Sequence, residues 1–287
     1  MSTTTVPSST VSPPACPGGA SDGTIDLPGR GPVAVRWYGQ GQRTAGGGTP
    51  LVLHFHGGAF TSGCLDSGGL VARMLAGAGA VVVSLAYPLA PAHPFPEGME
   101  TGYATLEWLY KNRSKLAGRG ARLYLAGEEA GGNIAAAVAV MARDQAFPPL
   151  AGQILLSPML DPCTGTASLR EATHDSGQCK WSEGWLAYLR RPRDAEHPYA
   201  VPGGSSRLSE LAPTLVLAGA DDPMRDEAQT YAERLRSAGV AVRWQEIPQA
   251  SGWPDALAEG IAAECACALA VQQQFRQFFA GGPNPPC

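Results

Sequence analysis

A chain of 287 residues with 44% apolar content is long enough to bury a large core. Its formal charge of −4 and pI near 5.7, with arginines scattered rather than clustered, exclude a surface for phosphate backbones or anionic lipid. Neither nucleic acid nor a membrane is therefore expected as a partner; the expected ligand is a small-molecule substrate, and a homodimer is compatible with the composition. The first 29 residues hold no Lys or Arg and no apolar run, and nowhere do about 18 apolar residues follow one another, so a cytoplasmic location is expected.

Taken in chain order, residues 1–22 are rich in Ser, Thr, Pro and Gly and read as a disordered tail, as do the last seven, 281–287. Between them a single domain is expected over 23–280. Residues 33–38 alternate as a partly exposed strand, while 51–55, 80–85, 122–126, 153–156 and 214–217 read as buried strands and 241–247 as the last one. Helical periodicity falls at 70–78, 99–116, 130–143, 226–238 and 255–279, several of these runs ending at glycine. The alternation of buried strand and helix predicts an α/β architecture, a mostly parallel sheet covered on both faces. The stretch 157–211 interrupts it and reads as a lid over the carboxyl ends of the strands, where open sheets place their ligands. The seven cysteines form no CxxC pair with metal-ligand spacing, so reduced thiols are expected, with no metal and no cofactor.

Three segments carry chemistry. His54-Phe55-His56-Gly57-Gly58-Ala59-Phe60 follows a buried strand, and its glycines let backbone N–H groups approach a developing oxyanion. Leu123-Tyr124-Leu125-Ala126-Gly127-Glu128-Glu129-Ala130-Gly131-Gly132-Asn133 is a strand, a glycine-flanked turn and an Ala-rich helix, the context of a nucleophile elbow. Gly219-Ala220-Asp221-Asp222-Pro223 follows another strand, with Asp222 as the candidate acid.

Together with Leu89-Ala90-Pro91-Ala92-His93-Pro94-Phe95-Pro96 and Ser157-Pro158-Met159-Leu160-Asp161, these segments occur in the order of a known family. Over roughly residues 25–280 the chain resembles the bacterial hormone-sensitive-lipase esterases. The resemblance implies an α/β-hydrolase fold with an eight-stranded sheet, helices on both faces and an inserted helical lid. It also implies ester hydrolysis by a serine whose oxyanion is held by backbone N–H groups at Gly57, Gly58 and Ala130. The chain departs from that pattern. Where the family elbow reads Gly-Asp-Ser-Ala-Gly-Gly, Glu129 stands at the serine position, and Ser251 stands at the position of the family histidine. All five histidines, at 54, 56, 93, 174 and 197, precede Asp222.

A carboxylate on a strained turn, facing N–H donors in a lidded pocket, suits proton transfer. The expectation from sequence is therefore an enzyme in which Glu129 acts as acid/base for cyclisation, elimination, isomerisation or decarboxylation of a small carbonyl compound. Two alternatives stand beside it: a hydrolase of esters, lactones or epoxides using Glu129 as nucleophile or as base for water, and a ligand-binding protein without turnover, as in the plant gibberellin receptor. Asp222 is either a second carboxylate or a residue bonded to Ser251 and the loop backbone. Phe60, His174, Trp181, Trp185 and Trp253 are the expected substrate-binding residues. His56 and His93 are expected to brace turns, and His54 to pack within its strand.

Overall fold

The computed structural model describes residues 19–41, 48–172, 179–258 and 266–281. Eight strands form one sheet in the order β1-β2-β4-β3-β5-β6-β7-β8. The strands are β1 (Ser21–Leu27), β2 (Gly31–Tyr38), β3 (Pro50–Phe55), β4 (Val81–Leu85), β5 (Arg122–Glu128), β6 (Gly152–Leu156), β7 (Thr214–Gly219) and β8 (Val242–Ile247). β1, β2 and β4 pair antiparallel, and every pairing from β4 through β8 is parallel.

The central strands are buried along their whole length, because helices cover both faces and leave no polar side to the alternation. On one face, α1 (Gly69–Gly77) and α8 (Ala266–Phe279) pack Leu75, Val271 and Phe275 against Val52, Val82 and Ile154. On the other, α2 (Glu97–Ala117), α3 (Ala130–Asp144) and α6 (Arg225–Ser237) pack Leu106, Val138 and Leu235 against Leu53, Phe55 and Val216. α3 is buried over almost all its length, and its alanines let it lie close on the central strands.

β1 begins inside the stretch expected to be a tail. Its pattern buries only Ile25 and Leu27, so as a sequence it reads as polar; pairing with β2 from Ser21↔Trp37 to Leu27↔Gly31 is what makes it a strand. The single helix expected over 255–279 is α7 (Asp255–Ala258) and α8, with 259–265 outside the described residues. The remainder of the expected tails, 1–18 and 282–287, also lies outside them. The stretch 157–211 contains α4 (Ala167–Ala172), α5 (Lys180–Tyr188) and two short 3-10 turns. No helix among the described residues is long and apolar enough to cross a membrane.

What positions the site is the register of β3 against β5, which sets Phe55 opposite Gly127. The loop leaving β3 and the turn leaving β5 therefore emerge side by side at the carboxyl edge of the sheet. α5 closes over them so tightly that a Cβ at Gly184 would lie 2.2 Å from the Ala59 carbonyl.

Candidate active site

Between β5 and α3 the chain turns on Glu129, whose φ of 53° and ψ of −119° lie where side-chain-bearing residues seldom go. Such a residue costs about 1–3 kcal/mol and persists only where its surroundings hold it. Here they do: Glu129 N–H donates to the Leu156 carbonyl at 3.0 Å, and its carbonyl accepts from Met159 N–H at 3.0 Å and Asn133 N–H at 3.3 Å. Gly131 completes the turn, since a Cβ there would meet the Phe55 carbonyl oxygen at 2.1 Å.

The Glu129 carboxylate, 5% exposed, lies against the loop that leaves β3. Its Oε2 accepts from Gly58 N–H at 2.5 Å and Ala59 N–H at 3.1 Å, and its Oε1 accepts from the Trp181 indole N–H at 2.6 Å. The donor pair is thus Gly58 and Ala59, a correction to the expected set: Gly57 N–H points instead to Glu128 Oε1, at 3.2 Å. The reason is backbone conformation. Gly58 takes φ 118° and Ala59 and Phe60 take φ 48° and 64°, so the chain turns sharply after Gly57, and the N–H groups at 58 and 59 converge. A Cβ at Gly58 would lie 2.1 Å from the Ser62 carbonyl oxygen, so no other residue fits this turn. Ala130, the third expected donor, is the buried first residue of α3.

Beneath the loop, Glu128 Oε2 meets His54 Nε2 at 2.7 Å, and His54 Nδ1 meets Ser84 Oγ at 3.0 Å. His56 turns its Nδ1 to the Gly57 carbonyl at 2.7 Å and stacks on Tyr87, whose hydroxyl donates to the His56 carbonyl at 2.7 Å. Burial lowers the His56 pKa and raises that of Tyr87, so both rings stay neutral and hold the loop.

Above the elbow lies a cleft of about 290 Å³ bordered by Gly57, Gly58, Ala59, Glu128, Glu129 and, from α5 and α7, Lys180 and Asp255. Lys180 pairs with Asp255 across its mouth. A larger hollow of about 350 Å³, bordered by Leu160, Glu227 and Tyr231, shares no residue with the elbow and holds none of the groups just described. Among the described residues no cluster of His, Cys, Asp or Glu could hold a metal ion.

Comparison with known proteins places this geometry. A family model for the alpha/beta hydrolase fold matches residues 52–268. The chain belongs to that family. Carboxylesterase NlhH of Mycobacterium tuberculosis (strain ATCC 25618 / H37Rv) is 36% identical over 233 residues, 79% of this chain and 70% of that protein. Esterase LipI of the same strain is 35% identical, over 77% of this chain and 70% of its own length. Among solved structures, a hyperthermophilic esterase from the archaeon Pyrobaculum calidifontis superposes with a TM-score of 0.77 at 33% identity, covering 92% of this chain and 86% of that one.

These hydrolase-fold relatives overturn the expected reaction. They are named for ester hydrolysis and point to a conventional esterase, against proton-transfer chemistry through Glu129 and against both alternatives weighed with it. The expectation rested on two side chains, Glu129 and Ser251, whereas the converging N–H groups, the strained elbow and the cleft are set by the whole fold.

The hydrolase-fold scaffold also redistributes the other expected site residues. Asp222 is fully buried, and its carboxylate accepts from Met224 N–H at 2.8 Å, Gly219 N–H at 3.4 Å and the Ser157 hydroxyl. Burial raises its pKa to about 6, against the opposing effect of those bonds. Ser251 is exposed on the turn after β8 and is not a partner of Asp222; the neighbouring Gly252 N–H donates to Asp221 instead. Phe60 stacks on Tyr188 at 4.0 Å and tilts against Trp185 at 4.9 Å, so the three form a buried aromatic layer under α5 rather than the cleft wall. Trp253 is buried with Leu257 and Phe275 on the far face of the sheet. Of the aromatic residues expected to contact substrate, Trp181 alone bonds to the elbow. His174 lies outside the described residues. Sequence reasoning missed Ala59, Glu128, Lys180 and Asp255. Only the Glu128-Glu129 doublet carried any signal, as two adjacent carboxylates at the elbow; Glu128 turns one oxygen to His54 and the other to Gly57 N–H, whereas Glu129 meets Gly58, Ala59 and Trp181.

Proposed function

We propose that the protein is a carboxylic ester hydrolase working in the cleft above the β5–α3 elbow. The observation that carries this is the convergence of the Gly58 and Ala59 N–H groups on one carboxylate oxygen. Two fixed donors on one oxygen are what the tetrahedral oxyanion of ester hydrolysis requires. Oε2 of Glu129 stands in here for the oxygen of the substrate, so the Glu129 side chain swings aside when an ester carbonyl enters. We read position 129 as the place where the bacterial hormone-sensitive-lipase esterases carry serine, and Ser251 as the place of their histidine. On this reading a Ser-His-Asp triad is not assembled from those positions, and the hydroxyls bordering the cleft are those of Thr61, Ser62 and Ser67. A volume of about 290 Å³, at the small end of ligand pockets, suits a short acyl chain.

The test is turnover of p-nitrophenyl acetate and butyrate by the wild type and Gly58→Ala. The wild type is expected to hydrolyse both above the buffer rate, and Gly58→Ala, which removes the turn that aims the donors, to lose about 10²-fold. A folded wild type that leaves both esters at the buffer rate overturns the reading.

A further inference from the structure

Ser84, His54 and Glu128 sit on β4, β3 and β5 and are 0%, 0% and 3% exposed. The register that sets His54 beside Ser84 and Ala126 brings the three side chains together under the loop leaving β3. We propose that they form a positioning relay that fixes the oxyanion donors, an inference that rests on the ester-hydrolase reading.

His54 Nε2 lies 2.7 Å from Glu128 Oε2 and its Nδ1 lies 3.0 Å from Ser84 Oγ, so both ring nitrogens have a buried hydrogen-bond partner. The ring is thereby held in one orientation. The second oxygen of Glu128 accepts from Gly57 N–H, one residue before the donor Gly58. Downstream, the Gly58 carbonyl is held by Thr61 N–H at 3.1 Å and Ser62 N–H at 2.9 Å. The glycine pair, which has the greatest backbone freedom in the loop, is therefore clamped on both sides, and the upstream clamp is Glu128. Gly68 shuts the relay away from α1: a Cβ there would come within 3.0 Å of His54 Cε1. Buried polar groups cost free energy relative to apolar side chains that would fill the same space. Packing alone gives no reason for three of them in a row, whereas aiming two N–H groups does.

The test compares wild type, His54→Leu and His54→Gln, with Ser84→Ala as a milder variant should His54→Leu fail to fold. kcat and KM are measured on p-nitrophenyl butyrate, and amide hydrogen exchange on residues 56–63. Because oxyanion contacts form in the transition state, His54→Leu is expected to lower kcat about 10-fold or more with KM changed less than about twofold. His54→Gln, whose side-chain amide reaches about as far as Nε2, is expected to recover most of the loss, and Ser84→Ala to lower kcat about threefold. Exchange at 57–59 is expected to quicken in His54→Leu and return in His54→Gln, with β7 unchanged. Wild-type kcat and loop exchange in His54→Leu, or a loss that His54→Gln does not recover, would overturn the relay. A wild type without ester turnover defeats the ester-hydrolase reading alone. Loop exchange then decides the relay: quickened at 57–59 and restored by glutamine supports it, and unchanged exchange refutes it.

Discussion

Asp222→Asn separates burial from charge at the most deeply buried acid after β7. In the folded protein Asp222 is fully buried and its pKa rises from 3.8 to about 6, chiefly through loss of water around the carboxylate. A carboxyl whose folded pKa lies above its unfolded value favours folding while protonated. Its contribution is therefore complete below about 3.8 and is lost as pH rises through about 6. The span corresponds to about 3 kcal/mol. Asparagine copies the protonated form without titrating, keeping an acceptor for Met224 N–H and a polar partner for Ser157. Urea titrations of both proteins at pH 4 and pH 7.5 should show the stability gap moving by about 3 kcal/mol toward the variant between the two. Glu227, which burial chiefly pushes up, is present in both proteins, and the Asp222 charge is the last of the causes that act on it, so only that smaller part differs between them. A gap equal at the two pH values would show that Asp222 does not carry the desolvation assigned to it.

Other substitutions test single contacts. Gly131→Ala should cost about 2–4 kcal/mol in urea unfolding, because the new Cβ would lie 2.1 Å from the Phe55 carbonyl oxygen and 2.4 Å from that of His56; wild-type stability would contradict the elbow geometry. Trp181→Phe keeps the ring but removes the indole donor to Glu129, and should lower stability by about 1–3 kcal/mol in the same assay. The Tyr188 hydroxyl is buried without a partner, so Tyr188→Phe should be neutral or stabilise by up to about 1 kcal/mol in thermal melts, and a clear loss would reveal an unseen partner. Lys180→Met breaks a pair whose side chains are 46% and 64% exposed and should change stability by less than about 1 kcal/mol.

What was legible in the sequence is what depends on local pattern. Continuous apolar runs bounded by glycine and proline mark strands buried on both faces, and the Ala-rich run after Glu129 marks α3, because helix and strand periods differ along the chain itself. Glycines around 57 and 131 mark places where no Cβ fits. β1 was illegible because its strand character comes from pairing rather than from its side chains. The same holds inside the site. Which N–H groups face the elbow depends on a reversal of φ at Gly58 that no composition reveals, and it exchanged Gly57 for Ala59. That Asp222 meets Ser157 rather than Ser251, and that His54 reaches Glu128 from 74 residues away, follow from strand register. The amino-acid sequence thus determined seven of the eight strands, the elbow and the family they belong to, since these are written in neighbouring residues. Only the tertiary structure decided which side chains share a hydrogen bond, because such partners meet across strands and loops distant in the chain.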